Sequence, residues 1–334
     1  VPMIDTTITR FLTEADVTRL IDLNDAMEAL SDMLTLEFAG AAKNFPKIQA
    51  TYGDRSTLHA LASLAETLDI AGFKTWINTP KGASSVMSVF EPNVGHLRAM
   101  IQAGGLGRLR TAAASGIATD WMAVPDADEM AVIGTGRQAM LQVAAVAAVR
   151  KLKRLRVYSP TEENRERFAA QARELFSFDV AAEPSLERAV DGVPIVTLIT
   201  RSRKPFLAGA MLEANAHLNA VGAILPNSAE FEPDVFERAG RIVVDNVERV
   251  MASSKEFRDR FGEDISNWGN VETLGCIILA GRKPRTAGVS VFKAVGTGLA
   301  DLAVARLVVE RAEQQDVGVK IGKSPPAQPR WRAL

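Results

Sequence analysis

The stretch Met130-Ala131-Val132-Ile133-Gly134-Thr135-Gly136-Arg137-Gln138-Ala139 joins a short apolar run to a Gly-x-Gly-x-x-Ala turn, and a helix-like apolar segment follows from Met140 to about Val149. Residues of these types at this spacing can hold a pyrophosphate. Gly134 permits the tight turn, Gly136 lets the backbone approach the phosphates, and Ala139 lets the helix pack close to the strand. The helix N-terminus then offers free N–H groups and a positive dipole end to the anion. Cys276 and the three histidines His59, His96 and His217 are the other reactive types. Cys276 stands in an apolar run and is expected in the core. A single thiol makes no internal disulfide, and no two histidines stand at metal-ligand spacing, so no metal site is expected.

The 334 residues suffice for two domains, and a net charge of −1 offers no basic footprint for nucleic acid. Val1-Pro2-Met3-Ile4-Asp5 has no basic segment followed by an apolar one, so no signal peptide is expected. The apolar windows fall short of the roughly 20 residues of a membrane span, and a soluble, cytoplasmic protein without membrane contact is expected.

Elements must position these residues. Thr13-Glu14-Ala15-Asp16 reads as a helix start, with a Thr cap and an acid three residues on. A second helix is expected after Asn24, with Met27, Leu30, Leu34 and Phe38 on one face and Gly40 as its stop. Strands are expected over 47–53, 57–65, 72–78 and 86–90, with a turn at 92–95, giving an α+β pattern for the first 124 residues. From Met130 strands (131–133, 156–159, 179–182, 195–200, 218–222, 241–245) alternate with helices (161–175, 233–239), which predicts a doubly wound parallel α/β sheet. Residues 298–315 carry an amphipathic helix pattern that either extends this sheet unit or crosses back to the first part. Residues 323–330 hold three prolines and are expected to be irregular.

Four blocks in this order resemble the ornithine cyclodeaminase/μ-crystallin family: Arg110-Thr111-Ala112-Ala113-Ala114-Ser115, the Ile133–Ala139 turn, Asn219-Ala220-Val221-Gly222-Ala223 with Glu230 eight residues beyond Gly222, and Val291-Phe292-Lys293-Ala294-Val295-Gly296 followed by Asp301-Leu302-Ala303. The resemblance implies a Rossmann-type NAD(P) domain over residues 125–300. It also implies a split α+β domain, residues 1–124 with 301–334, that binds substrate and forms a homodimer interface. Family chemistry sets an α-amino or α-imino acid beside a nicotinamide. Such a substrate needs a cation for its carboxylate and a proton donor for its nitrogen.

On this resemblance Arg110 is the carboxylate clamp and Lys74 the pocket lysine. A partly buried lysine has a lowered pKa and can exchange protons near neutrality. Lys47 stands where many members carry a second carboxylate-binding arginine. It keeps the charge and loses the fork. Trp76 shares Lys74's side of its strand and either narrows the pocket or packs in the core. The candidate cofactor contacts are Thr111, Gly134, Thr135, Gly136, Arg137, Gln138, Ser159, Thr161, Arg165, Thr200, Val221 and Lys293. The tip of the second sheet strand, Tyr158-Ser159-Pro160-Thr161, carries no acid for a ribose 2′-hydroxyl, so NAD and NADP both remain open.

Two positions depart from the family. Ile224 replaces the aspartate that handles the substrate amine in cyclisation, and an isoleucine neither accepts a proton nor pairs with an ammonium. Gly82 replaces an asparagine. The expected function is NAD(P)H-dependent reduction of a small α-imino acid, a cyclic ketimine or the imine of pyruvate or oxaloacetate. An ornithine cyclodeaminase-type lyase and a non-enzymatic dinucleotide-binding protein are the alternatives.

Overall fold

The computed structural model describes residues 8–53, 56–282 and 286–325. Strands β1 (Ile8–Leu12), β2 (Ala42–Asn44), β3 (Ile48–Tyr52), β4 (Ser56–Ala65), β5 (Ile70–Thr79), β6 (Gly82–Glu91) and β7 (His96–Gln102) belong to a first sheet. Strands β8 (Glu129–Ile133), β9 (Arg154–Tyr158), β10 (Asp179–Ala182), β11 (Ile195–Leu198), β12 (His217–Ala220), β13 (Ala239–Val244), β14 (Val271–Thr273) and β15 (Val289–Lys293) form a second. The last strand, β16 (Val319–Gly322), returns to the first sheet and pairs antiparallel with β1.

The second sheet is parallel throughout, in the order β10-β9-β8-β11-β12-β15-β13-β14. Strands β11, β12 and β15 are buried along their whole length, as strands of a parallel sheet covered on both faces are, and the polar residues of β12, His217 and Asn219, are hydrogen-bonded inside. The chain winds outward one way from β8 and then the other way from β11. The topological switch point therefore lies between β8 and β11, and ligands bind outside the carboxyl ends of the strands there. The first sheet is antiparallel apart from the β1–β7 pair.

Helix α1 (Glu14–Leu20) starts with the expected capping box between Thr13 and Asp16. Helix α2 (Leu23–Phe38) starts earlier than expected, because Asp22 and Asp25 form a second capping box. Helix α3 (Gly104–Met122) was not anticipated as a 19-residue element. Its glycines and alanines give no amphipathic stripe because neighbours cover it nearly all round. A Cβ on Gly116 would lie 2.6 Å from Met27 Sδ and 3.2 Å from the Ala145 carbonyl oxygen. The first two N–H groups of α3 are capped from outside by Glu14, at 2.6 Å from Gly104 and 2.5 Å from Gly105. Helices α4 (Ala139–Val149) and α5 (Glu162–Leu175) flank the second sheet as expected.

The C-terminal helix, Gly298–Gln314, crosses back. Leu299, Leu302, Ala303 and Val304 pack in one core with residues of α2, α3 and the first sheet. Gly72 on β5 allows this approach, since a Cβ there would lie 3.0 Å from Leu302 Cδ1. Cys276 corrects the core expectation: it is half-buried on a short helix, Leu274–Leu279, with its N–H capped by Thr273. Val1–Asp5 lies outside the described residues. So do residues 326–330 of the proline-rich tail, while 323–325 have no regular structure.

Candidate active site

Two layers meet at the site. From the first sheet, β5 alternates so that Ile70, Gly72 and Lys74 face inward. From α3 comes Arg110, and from the first turn of the C-terminal helix comes Asp301. Asp301 Oδ1 accepts from Lys74 Nζ at 2.7 Å and from Arg110 Nε at 3.1 Å. Asp301 is fully buried, and its Oδ2 has no partner among the described residues. Burial raises the Asp301 pKa, but Arg110 and Lys74 more than offset this and hold the carboxyl below its ordinary range. Burial pushes the Lys74 ammonium pKa down. Asp301 opposes that shift, and Arg110 adds to it. Gly107 keeps room for the ammonium, since a Cβ there would lie 2.6 Å from Nζ.

Arg110 uses Nε on Asp301, and its two terminal nitrogens make no hydrogen bond among the described residues. Those nitrogens lie against Gly296, just beyond the carboxyl end of β15. The guanidinium also feels Asp245, just beyond β13. The fork therefore faces the carboxyl edge of the second sheet. Asp245 is fixed there by N–H donors from Val295 at 2.9 Å and Gly296 at 2.6 Å. Burial raises its pKa, and those donors together with Arg110 and Arg249 pull it back.

Trp76 lines the same face as Lys74. His59 stacks on it, ring centroids 4.5 Å apart at 11°. The ammoniums of Lys47 and Lys74 lie over the indole, 5.3 Å and 5.8 Å from its centroid. The His59 pKa is lowered to about 4, by burial and then by Lys47, so the ring is neutral at neutral pH. The Lys47 pKa is lowered to about 8, by burial first and then by the charges of Arg249 and Arg110. Lys74, Arg110 and Lys47, all expected from the sequence, are thus brought to one cleft. Asp301, Asp245 and Arg249 were missed as site residues. Asp301 stood in a quoted block, but only its neighbours in space give it a role.

The turn after β8 lies at the switch point. Gly134 has φ +113°, and a Cβ there would lie 2.6 Å from the Ile199 carbonyl oxygen. Gly136 faces open space, with no atom within 4 Å of a Cβ position. Gln138 caps α4 without a side-chain hydrogen bond, so the first N–H groups of that helix carry no side-chain cap. Thr135, Gly136 and Arg137 are half-buried or exposed there. Ser159, Thr161 and Arg165 gather at the tip of β9, where Arg165 Nη1 donates to the Ser159 carbonyl at 3.4 Å and Nε is buried without a partner. Thr111 Oγ1 donates to the Gly107 carbonyl at 2.8 Å. Thr200 is fixed by Glu230, whose Oε1 accepts from its N–H at 2.6 Å and its hydroxyl at 2.7 Å. Val221 is buried at the end of β12, where its backbone lies at the sheet edge.

Lys293 requires a correction. Its side chain is fully buried, donating to the Ala223 carbonyl at 2.7 Å and lying 3.4 Å from Glu256. It braces the 222–223 loop from behind and does not present its ammonium to a ligand. Among the described residues no cluster could hold a metal ion, and no helix is long and apolar enough to cross a membrane.

A nicotinamide dinucleotide fits these residues. A glycine with open space before it, an uncapped helix N-terminus and the switch point coincide, which is what a pyrophosphate requires.

The chain has been compared with known proteins. The model of the ornithine cyclodeaminase/mu-crystallin family matches residues 8–316. A Bacillus cereus Delta(1)-pyrroline-2-carboxylate reductase is 26% identical over 91% of this chain and 96% of its own. Among solved structures, an archaeal alanine dehydrogenase dimer with bound NAD superposes with a TM-score of 0.86 at 27% identity, covering 94% of this chain and 99% of that one. The iminosuccinate reductase of Paracoccus denitrificans, in complex with NAD+, also gives 0.86, at 26% identity and with the same coverage. A match running from the first described strand to beyond the C-terminal helix takes in both layers and the cleft between them, and the chain belongs to the ornithine cyclodeaminase/mu-crystallin family.

Proposed function

We propose that this chain reduces a small α-imino acid to the amino acid at the expense of NADH or NADPH. The observation that carries this reading is Arg110: a guanidinium whose terminal nitrogens make no hydrogen bond among the described residues, held by Asp301 and aimed at the ligand edge of a doubly wound sheet. The bound dinucleotide supplies a hydride to the imine carbon. Gly134, Thr135, Gly136, Arg137 and Gln138 would hold its pyrophosphate, Ser159, Thr161 and Arg165 its adenosine ribose, and Thr111, Thr200 and Val221 would border it.

The chain's own residues do the rest. Arg110 takes the α-carboxylate as a fork, which fixes the imine carbon in place. Lys74 holds a proton at Nζ beside Asp301 and delivers it to the imine nitrogen. One hydride to carbon and one proton to nitrogen balance the conversion of C=N to CH–NH. Ile224, exposed where cyclisation would need a carboxylate, supports reduction over the lyase reaction.

We infer also that residues 125–300 are the dinucleotide domain and that residues 1–124 with 301–334 bind substrate and pair with a second copy. Leu58, Phe73 and Ile77 are exposed on the face of the first sheet opposite Lys74, and Ile48 on β3 is 70% exposed. An apolar sheet face of this kind supports burial against another chain. The relative with bound NAD is a dimer.

The test follows cofactor absorbance. Reduced cofactor should be consumed with pyrroline-2-carboxylate, or with pyruvate or oxaloacetate plus ammonium. Oxidised cofactor with L-ornithine should release no ammonia. Ammonia without net cofactor reduction would overturn the reading in favour of the lyase. The rate at low substrate should fall as pH rises through about 8, because the Lys47 cation, its pKa depressed from 10.5, loses its proton there.

Gly136→Val should abolish dinucleotide binding, read by cofactor fluorescence, with little change in melting temperature, because a Cβ there has no atom of the protein within 4 Å. Gly134→Ala should instead destabilise the fold, through the positive φ and the Ile199 carbonyl. Full dinucleotide affinity in Gly136→Val would remove the pyrophosphate assignment.

A further inference from the structure

The cleft holds more cations than one carboxylate needs. Arg249, on the short helix Val247–Ser253 that follows β13, makes no side-chain hydrogen bond or ion pair among the described residues. Its Nε is buried and unpartnered. Burial lowers its pKa, Asp245 opposes that, and Arg110 adds to it. Asp245 forms no ion pair with it among the described residues, and its oxygens accept instead from the backbone of Asn246, Val295 and Gly296. Lys47 is in the same condition. It has no hydrogen bond or ion pair among the described residues, and it is repelled by Arg249 and Arg110.

Four cations, Lys47, Lys74, Arg110 and Arg249, thus face two carboxylates, Asp301 and Asp245, while Glu37 beyond Asp245 accepts from Asn44 and Asn246 and has its pKa raised by burial. Glu14 is felt by Lys74 as well, but its carboxylate is bound to the first amides of α3. Two half-buried cations left to repel each other are costly unless an anion joins them.

The cofactor's phosphates are not that anion. β13 stands four strands from β8, so Arg249 follows a strand roughly 19 Å from the pyrophosphate turn at about 4.8 Å per strand. Its electrostatic neighbours are Lys47 and Arg110, on the substrate side. Arg110 with its fork accounts for one carboxylate. Lys47 and Arg249 remain for a second anionic group on the same molecule.

We propose that the substrate is a dicarboxylic α-imino acid with a short carbon chain, and that Arg249, with Lys47, holds its distal carboxylate. This rests on the reductase reading and narrows it, because the relatives named above act on a cyclic imino acid, a monocarboxylate and a dicarboxylate at nearly equal similarity. The reaction is unchanged in balance: hydride from the reduced nicotinamide to the imine carbon, a proton to nitrogen, and both carboxylates retained. Arg249 determines which skeleton is accepted and takes no part in the bond changes.

The experiment compares kcat/KM for reduced-cofactor consumption with oxaloacetate plus ammonium and with pyruvate plus ammonium, using the full chain. The wild type should favour the dicarboxylate at least tenfold. Arg249→Leu should reduce that ratio roughly 10²-fold, the effect of losing one desolvated charge contact, and Arg249→Lys should restore part of it. Binding is read without cofactor: succinate should raise the melting temperature of the wild type more than propionate does, and Arg249→Leu should lose the difference. If Arg249→Leu fails to fold, Arg249→Gln and the wild-type succinate shift carry the test. A wild type that reduces the pyruvate imine equally well, or an Arg249→Leu ratio equal to the wild type's, overturns the dicarboxylate assignment and leaves the reductase standing. Consumption with neither imine overturns both.

Discussion

Arg110→Ala should lower kcat/KM for imine reduction by about 10²–10³-fold while leaving dinucleotide affinity nearly intact. The magnitude follows from removing one partner of a desolvated, charge-assisted pair, worth roughly 2–5 kcal/mol. The asymmetry follows from position. Arg110 aims its terminal nitrogens past Gly296 at the β15 and β13 ends of the sheet, whereas the pyrophosphate turn follows β8. Arg110→Lys should recover only part of the loss, since an ammonium keeps the charge without the two parallel donors. Steady-state kinetics with a cofactor titration separates these effects. Equal loss of cofactor affinity, or unchanged turnover, would sink the clamp assignment.

Asp301→Asn should cost about 3–5 kcal/mol of stability, because it removes the buried carboxylate that pairs directly with both Lys74 and Arg110. The same substitution should move the pH profile. Asp301 raises the Lys74 pKa against the pull of burial, so without it the Lys74 pKa falls further. The proton-donating form is the ammonium, present below its pKa and lost as pH rises through it. The alkaline limb of kcat should therefore shift to lower pH in Asp301→Asn. A purely structural aspartate would lower the melting temperature and leave that limb in place, so the two measurements together decide its role. The wild-type triad resists this because one oxygen, Oδ1, accepts from both cations and keeps them at fixed separation.

Much of this was legible from local pattern. The Gly134–Ala139 turn carries its meaning in consecutive residues, since strand, turn and helix need no distant partner to form. The alternating inner positions of β5 put Lys74 and Trp76 on one face for the same reason. Helix α3 was hidden because close packing all round it selects glycine and alanine, which erases the amphipathic period. Lys293 misled because a family block marks a residue as important without saying whether its side chain faces the ligand or braces a loop. Its contacts with Ala223 and Glu256 show the second.

The sequence by itself determined the turn that can hold a dinucleotide, the strand and helix alternation around it, and the cations Lys47, Lys74 and Arg110. The turn and the alternation are set by residue type and short spacing, where steric and helical rules act, and the three cations are those the family resemblance implies. Only the tertiary structure decided what neutralises them. Asp301 lies 227 residues from Lys74 and 191 from Arg110 along the chain, and Arg249 reaches the cleft from the far side of the second sheet. Charge balance in a cleft depends on distance and burial in three dimensions, and neither is a function of sequence spacing. That is why the count of unpaired cations, and with it the number of carboxylates the cleft can take, became visible only once the two layers were packed together.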